Sequence, residues 1–395
     1  MKVAQVEPIV VGTPPPHFGG KYFIFVKLTT DDGIVGYGEV YAATFAPGTV
    51  ARMVEEVAER HLVGQSPSRV EHLSHAVYGR GYTLRPDVTL MGVLSGLEIA
   101  CWDVVGKALD RPVHDLLGGA VRERVRTYTY LYPEPGDRGD VYSDPDLAAE
   151  RAAEMVARGH TAVKFDPAGP YSVYDPRQPR LDALDLSEAF CARIREAVGS
   201  KADLLFGTHG QFTPAGALRL ARRIEAYDPL WFEEPTPPEN PEAMAEVARG
   251  CSIPVSTGER LTTKHEFHRV LQAGAASILQ PALGRVGGLL EAKKISAMAE
   301  AAYAQIAPHL YAGPIEAAAN IQLCACTPNV LILEGIQDWT GFHADLLKTP
   351  PVWSDGAVQV PSAPGIGVEL DEAVAAAHPY DDTSLHLEMR EEPLP

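Results

Sequence analysis

From about Arg124 the chain repeats one unit eight times, and this repeat constrains its fold more than any other feature. Short β-rich runs (VRTYTYL, TAVKFD, DLLFGTH, LWFEEP, PVSTGE, SILQPAL, AQIAPHL and VLILEG) recur roughly every 25 residues, the period of a β/α unit. Helical runs such as DPDLAAERAAEMVARG, PAGALRLARRIEAY and LLEAKKISAMAEAA fill the gaps, with apolar residues three or four apart. Strands alternating with helices imply a parallel sheet, and eight of them imply either a closed barrel or a doubly wound sheet. No GxGxxG follows the first strand, which weakens a dinucleotide site. Polar residues at the strand ends favour the barrel, whose catalytic groups come from the C-terminal ends of several strands.

The flanking segments have a different texture. KYFIFVKLTT and GIVGYGEV are antiparallel-type strands joined at the turn Asp31-Asp32-Gly33, and TVARMVEEVAERHLVG and GVLSGLEIACWDVVGKAL are helical, so residues 1–123 form an α+β unit. Residues 124–350 hold the repeat. The polar, Pro-rich tail 351–395 is expected to pack back on the N-terminal unit. Pro167 to Leu184 is a long insertion after the second barrel strand, a pattern typical of a lid, binding loop or oligomer contact.

The formal net charge of -18 repels phosphate backbones, so nucleic acid is not an expected partner. No apolar run is seen to approach the ~20 residues of a membrane span, and the N-terminus lacks a signal-peptide pattern. Five scattered cysteines without a CxxC pair fit a reducing cytoplasm rather than a disulfide or zinc scaffold.

The barrel's strand tips carry Lys164 and Asp166, His209, Glu233 and Glu234, Glu259, Gln280, His309 and Glu334 in order. Glu233 and Glu259 belong to adjacent strands, so their carboxylates can meet. Convergent carboxylates repel unless a cation lies between them, and oxygen ligation points to magnesium.

At this point the sequence resembles the enolase superfamily, mandelate racemase and muconate lactonizing enzyme type. The resemblance spans nearly the whole chain and rests on ACWDVVGKALDRPVHDLLGG, WFEEP, TGE, GRVGGLLEAKKI, APH and the terminal LE of the eighth strand. It implies a modified TIM barrel, (β/α)7β, capped by an α+β domain built from N- and C-terminal segments. It also implies Mg2+ as cofactor, abstraction of the proton α to a substrate carboxylate, and an enediolate intermediate. Removing that proton places two charges on one carboxylate, which a divalent cation stabilises.

By this resemblance Glu233 and Glu259 stand at ligand positions, His309 at the seventh-strand base, Glu334 at the acid that hydrogen-bonds the enediolate, and Lys164 at the first lysine of a KxK pattern. Three positions depart from the pattern. Asp166 replaces the second lysine, Gly207 replaces the third-strand aspartate ligand, and Ala282 replaces the aspartate that orients the histidine. These departures imply either a relative that has lost its metal and activity, or a site in which Asp166 moves in as the third ligand. His209 is the rival ligand, but an imidazole suits a hard cation poorly; the resemblance makes His209 the acid for a leaving hydroxyl. Without an orienting aspartate at 282, Lys164 competes with His309 for the role of base.

The THGQ tip resembles acid-sugar dehydratases, which give 2-keto-3-deoxy acids. The alternative within the family is a cycloisomerase opening a 3,6-anhydro-sugar acid such as anhydrogalactonate; outside enzymes, it is a non-catalytic sugar-acid binder. Racemisation is disfavoured by Asp166. His17, Tyr22 and Arg85 in the cap are candidate substrate contacts, with Tyr171, Tyr174 and Arg177 in the insertion. The family resemblance further implies a homo-oligomer, either dimer or octamer.

Overall fold

The computed structural model describes residues 1–41, 46–79, 87–166, 178–380 and 385–387. Its first three strands, β1 (Val3–Gly12), β2 (Tyr22–Thr30) and β3 (Val35–Val40), form an antiparallel sheet in that order. The turn between β2 and β3 places Gly33 at φ 86°, a left-handed value that carries no Cβ penalty in glycine. Helices α1 (Pro47–His61) and α3 (Val88–Ala108) pack against the sheet, α2 (Val70–Gly79) packs on both helices, and the short α4 (Val113–Leu116) follows.

Helix α3 corrects one expectation. Its 21 residues are long and apolar enough to cross a membrane, yet 78% of the apolar window is buried inside the protein. It packs on β2 and β3 as the core helix of the cap.

The barrel follows in strict alternation: β4 (Arg124–Tyr130), α5 (Pro145–Arg158), β5 (Ala162–Phe165), α6 (Leu181–Val198), β6 (Asp203–Gly207), α7 (Pro214–Ile224), β7 (Trp231–Glu233), α8 (Pro241–Gly250), β8 (Val255–Thr257), α9 (Lys264–Ala273), β9 (Ile278–Leu279), α10 (Leu289–Ala301), β10 (Gln305–Ile306), α11 (Pro314–Ala325) and β11 (Leu333–Gly335). Each strand from β4 to β9 pairs in parallel with the next. β11 pairs with β4, and the Leu331 amide donates to the Ile306 carbonyl at 2.8 Å, so the sheet closes on itself. This is the closed barrel that the repeat favoured, in the (β/α)7β form that the resemblance implied.

The helix starts follow from the sequence. Asp144, Thr213 and Asn240 accept hydrogen bonds from first-turn amides of α5, α7 and α8, and a proline follows each cap. Proline lacks a donor that the first turn would leave unused, and its fixed φ suits helix entry. Thr263 and Glu266 form a reciprocal capping box on α9.

The tail serves both units. After α12 (Phe342–Asp345), β12 (Trp353–Ser354) and β13 (Ala357–Gln359) form a hairpin whose second strand adds antiparallel to β4. Beyond it, Glu372 of α13 (Glu372–Ala377) pairs with Lys27 at 2.7 Å and accepts from the Tyr37 hydroxyl at 2.6 Å, returning the chain to the cap.

Cap carboxylates also reach into the barrel. Glu98 of α3 accepts from the Leu289 and Leu290 amides at 2.8 and 2.9 Å, capping α10. Glu39 of β3 accepts from the Gly313 and Glu316 amides at 2.5 and 2.8 Å, capping α11. Both cap residues are buried, so each carboxyl satisfies helix-start amides out of water.

Candidate active site

Strand alternation sorts the tips. Tyr128, Ala162, Leu205, Trp231, Ile278 and Ala307 form a small cluster inside the barrel, while Val163, Leu204, Phe206 and Phe232 join the larger core beneath the helices. One step further along the inward-facing series come Lys164, Gly207 and Glu233.

The Lys164 ammonium donates to Glu233 Oε1 at 2.6 Å and lies 3.6 Å from Glu334 Oε1. Burial opposes its charge, but Glu233, Glu334 and Glu259 together raise it above the ordinary lysine value. In this pairing the charged ammonium form of Lys164 is favoured. Glu233 also accepts from Trp231 Nε1 at 3.0 Å and from Gln280 Nε2 at 2.8 Å.

Gly207 sits beside this pair. A Cβ there would stand 3.0 Å from Lys164 Cε, so the lysine stem occupies the space a side chain at 207 would use.

His209 projects from the same tip at φ 50°, a strained backbone value for a residue with a side chain. The tip is pinned by the Thr208 hydroxyl, placed 2.8 and 2.9 Å from the Glu233 and Glu234 carbonyls, and by the Gly210 amide donating to Glu234 O at 2.7 Å. The imidazole bridges two carboxylates: Nδ1 lies 3.2 Å from Asp166 Oδ2, and Nε2 lies 3.7 Å from Glu259 Oε1. Burial works against protonation, but Glu259 and Asp166 prevail and raise His209 to about 9.

On the other side of Glu259, His309 Nε2 lies 3.6 Å from Glu259 Oε2 and 3.9 Å from Glu334 Oε2. Burial dominates here and pushes His309 down to about 3, against the pull of Glu259. Its Nδ1 is buried without a hydrogen-bond partner. Ala282, which bridges to the His309 backbone, has no polar atom to offer it. Burial acts to raise Glu259, but His309 and His209, with Lys164 and Arg260, hold it below the usual carboxylate range. Glu334 accepts from the Leu310 amide at 2.8 Å, and burial pushes its carboxyl up.

The structure thus gathers Lys164, Asp166, His209, Glu233, Glu259, His309 and Glu334 at one end of the barrel. The proposed cap contacts fare differently. His17 is bonded within its own loop, Nδ1 lying 2.9 Å from the Thr13 carbonyl. Tyr22 is buried in the cap core against Tyr380 and His386. Arg85, Tyr171, Tyr174 and Arg177 lie outside the described residues.

Three residues went unassigned in the sequence. Tyr41 stacks on His309, with centroids 5.6 Å apart and planes 17° apart. The Arg285 guanidinium lies 4.0 Å from the Tyr41 ring centroid. His386, from the tail, packs against Tyr22, Tyr41 and Tyr311 at 5.1, 5.4 and 6.0 Å. Arg285 lies in the GRVGG motif; Tyr41 and His386 have no local signal at all.

The donor set suits a hard divalent cation. It offers carboxylates from neighbouring strand tips, and Glu259 Oε2 is buried without a hydrogen-bond partner. No three metal-binding side chains among the described residues are already drawn into a ligand cluster, because the His209 ring stands between Asp166 and Glu259.

Comparison with known proteins agrees with this geometry. Residues 6–118 match the mandelate racemase / muconate lactonizing enzyme N-terminal domain, and residues 147–374 match the enolase C-terminal domain-like family. D-xylonate dehydratase of Haloferax volcanii is 34% identical over 93% of this chain and 88% of its own length. D-galactonate dehydratase of Ralstonia nicotianae is 37% identical over 89% and 90%. A solved structure of this type from Labrenzia alexandrii is 63% identical, covers both chains fully and superposes with a TM-score of 0.97. A mandelate racemase/muconate lactonizing enzyme from Sulfitobacter sp. is 56% identical, covering 100% of this chain and 99% of its own, with a TM-score of 0.96.

Proposed function

This chain belongs to the mandelate racemase/muconate lactonizing enzyme family of the enolase superfamily, and we propose that it is a Mg2+-dependent acid-sugar dehydratase. The observation that carries this reading is the pair of histidines flanking Glu259. His209 Nε2 and His309 Nε2 face Glu259 from two different strand tips at 3.7 and 3.6 Å, and in the metal-free site the flanking carboxylates favour the protonated form of His209 while burial favours the neutral form of His309. Two titratable groups pushed apart in this way divide the roles of acid and base.

His309, neutral, accepts the proton α to the substrate carboxylate. His209, protonated, delivers a proton to the departing β-hydroxyl, which leaves as water. The product is the enol of a 2-keto-3-deoxy acid, which tautomerises to the keto form. Glu334, whose carboxyl burial pushes up, faces the oxygen on which charge develops and hydrogen-bonds it. Lys164 adds fixed positive charge beneath that oxygen and keeps Glu233 in place. Asp166, Glu233 and Glu259 would hold the magnesium ion, which supplies Lewis-acid stabilisation of the substrate carboxylate.

The names of the curated relatives favour dehydration over ring opening of an anhydro-sugar acid. The test is incubation of the Mg2+-loaded protein with D-galactonate, D-gluconate and D-xylonate. A 2-keto-3-deoxy product, carrying solvent deuterium at C3 when formed in deuterium oxide, is expected from at least one. No product and no deuterium incorporation with an acid-sugar library that also contains anhydro-sugar acids would leave the non-catalytic binder as the better reading.

A further inference from the structure

The His309 imidazole has no polar anchor. Its Nδ1 is buried without a partner, Ala282 beside it offers none, and the carboxylates facing Nε2 stand at 3.6 and 3.9 Å, beyond hydrogen-bond distance. A ring without such bonds turns about its χ2 torsion, which is broad for imidazole. A base that turns loses its alignment with the proton it must take.

What fixes the ring plane is aromatic contact. Tyr41 lies nearly parallel to His309, its planes 17° apart at 5.6 Å. Tyr41 is itself fastened from several directions. Its amide donates to Gly284 O at 3.1 Å, and its carbonyl accepts from Arg285 Nε at 3.1 Å. The Arg285 guanidinium covers the Tyr41 ring at 4.0 Å, and its NH1 donates to Glu259 O at 3.0 Å. Arg285 therefore ties the stacking ring to the strand tip that carries Glu259.

We infer that Tyr41 is the positioning residue for His309, with ring stacking doing the orienting work that no hydrogen bond does. A cap residue thereby sets the geometry of a barrel base, and Arg285 keeps the two in register. The inference rests on His309 being the base.

Three variants test it: Tyr41→Phe keeps the flat ring, Tyr41→Leu removes it while retaining apolar bulk, and His309→Asn removes the proposed base. Crystal structures of the first two, with Mg2+ bound, read the His309 orientation directly. Turnover and α-deuterium exchange with whichever of D-galactonate, D-gluconate and D-xylonate is consumed read its consequence. The expected result is an unmoved imidazole and near-normal kcat in Tyr41→Phe. In Tyr41→Leu the ring is turned and kcat falls about 100-fold, while KM changes much less. An unmoved His309 with normal kcat in Tyr41→Leu overturns the inference, as does equal impairment in Tyr41→Phe, which would assign the role to the hydroxyl. Undiminished exchange by His309→Asn instead removes the base assignment, and the positioning role with it.

Discussion

The Lys164 ammonium lies 2.6 Å from the Glu233 carboxylate, and both side chains are almost wholly buried, at 2% and 1% exposure. Charges enclosed this way are stabilised by the polar partners around them rather than by water, and each is the nearest charge to the other. Lys164→Met should therefore destabilise the fold by about 3–5 kcal/mol, as should Glu233→Gln. The double variant should cost less than the sum, because neither charge is then left alone. Denaturant unfolding of the four proteins checks the cycle; strict additivity would show that the two charges are not coupled.

The two active-site histidines should titrate far apart in the metal-free protein. His209 is raised to about 9 and His309 is lowered to about 3, so NMR should find the first protonated and the second neutral across pH 5–8. A raised imidazole stabilises the fold fully below its unfolded value of about 6.5. His209's contribution is thus lost as the pH rises from there through about 9. Removing its carboxylate partner in Asp166→Asn should bring the His209 titration down, and an unchanged titration would count against the 3.2 Å contact.

The same variant tests the ligand set. Asp166 and Glu259 face opposite nitrogens of one imidazole, so a cation gathering both displaces the ring. Asp166→Asn should weaken Mg2+ binding at least about tenfold by calorimetry. Affinity equal to the parent protein would exclude Asp166 as a ligand and return attention to Glu233 and Glu259 alone.

How much of this was legible in the sequence follows from the range of each interaction. The eight strand tips were readable because strand spacing and period-two alternation are local. The loss of a polar anchor for His309 was readable from Ala282. The Lys164–Glu233 pair was not, since spacing places two tips near one another without saying which atoms touch; the lysine read as a candidate base stands in a buried ion pair. Tyr41 and His386 were invisible for a related reason. They reach the site from the cap and the tail, through contacts between residues hundreds of positions apart. Helix α3 was read correctly as a cap helix, but its apolar length was underestimated; an apolar stretch long enough for a bilayer is also what a core helix enclosed by other elements requires.

The cap–barrel seam should weaken in alkali. Burial raises Glu39 to about 8, and Glu98 and Glu316 to about 7. An acid with a raised folded value resists ionisation that the unfolded chain accepts, so stability is lost as the pH rises from about 4.5 through 7–8. Glu316→Gln cannot ionise. It should gain on the parent protein by on the order of 2–3 kcal/mol between pH 5 and pH 9. Parallel pH dependence of the two melting curves would show that Glu316 is already ionised in the fold.

The tail should respond to acid. His386 is enclosed by Tyr22, Tyr41 and Tyr311, and its place exists because residue 20 is glycine: a Cβ there would stand 2.1 Å from the imidazole. Burial pushes His386 down to about 3, with Arg285 acting in the same direction. A lowered imidazole gives its full stabilisation above the unfolded value of about 6.5 and loses it as the pH falls toward the folded one. Between pH 7 and pH 5 that loss is about 2 kcal/mol. His386→Leu retains an apolar side chain of similar reach and carries no proton. Its stability relative to the parent should therefore improve by about that amount over the same interval. Unfolding measured at the two pH values decides the point, since a constant difference would mean that His386 protonates as readily in the fold as in the unfolded chain.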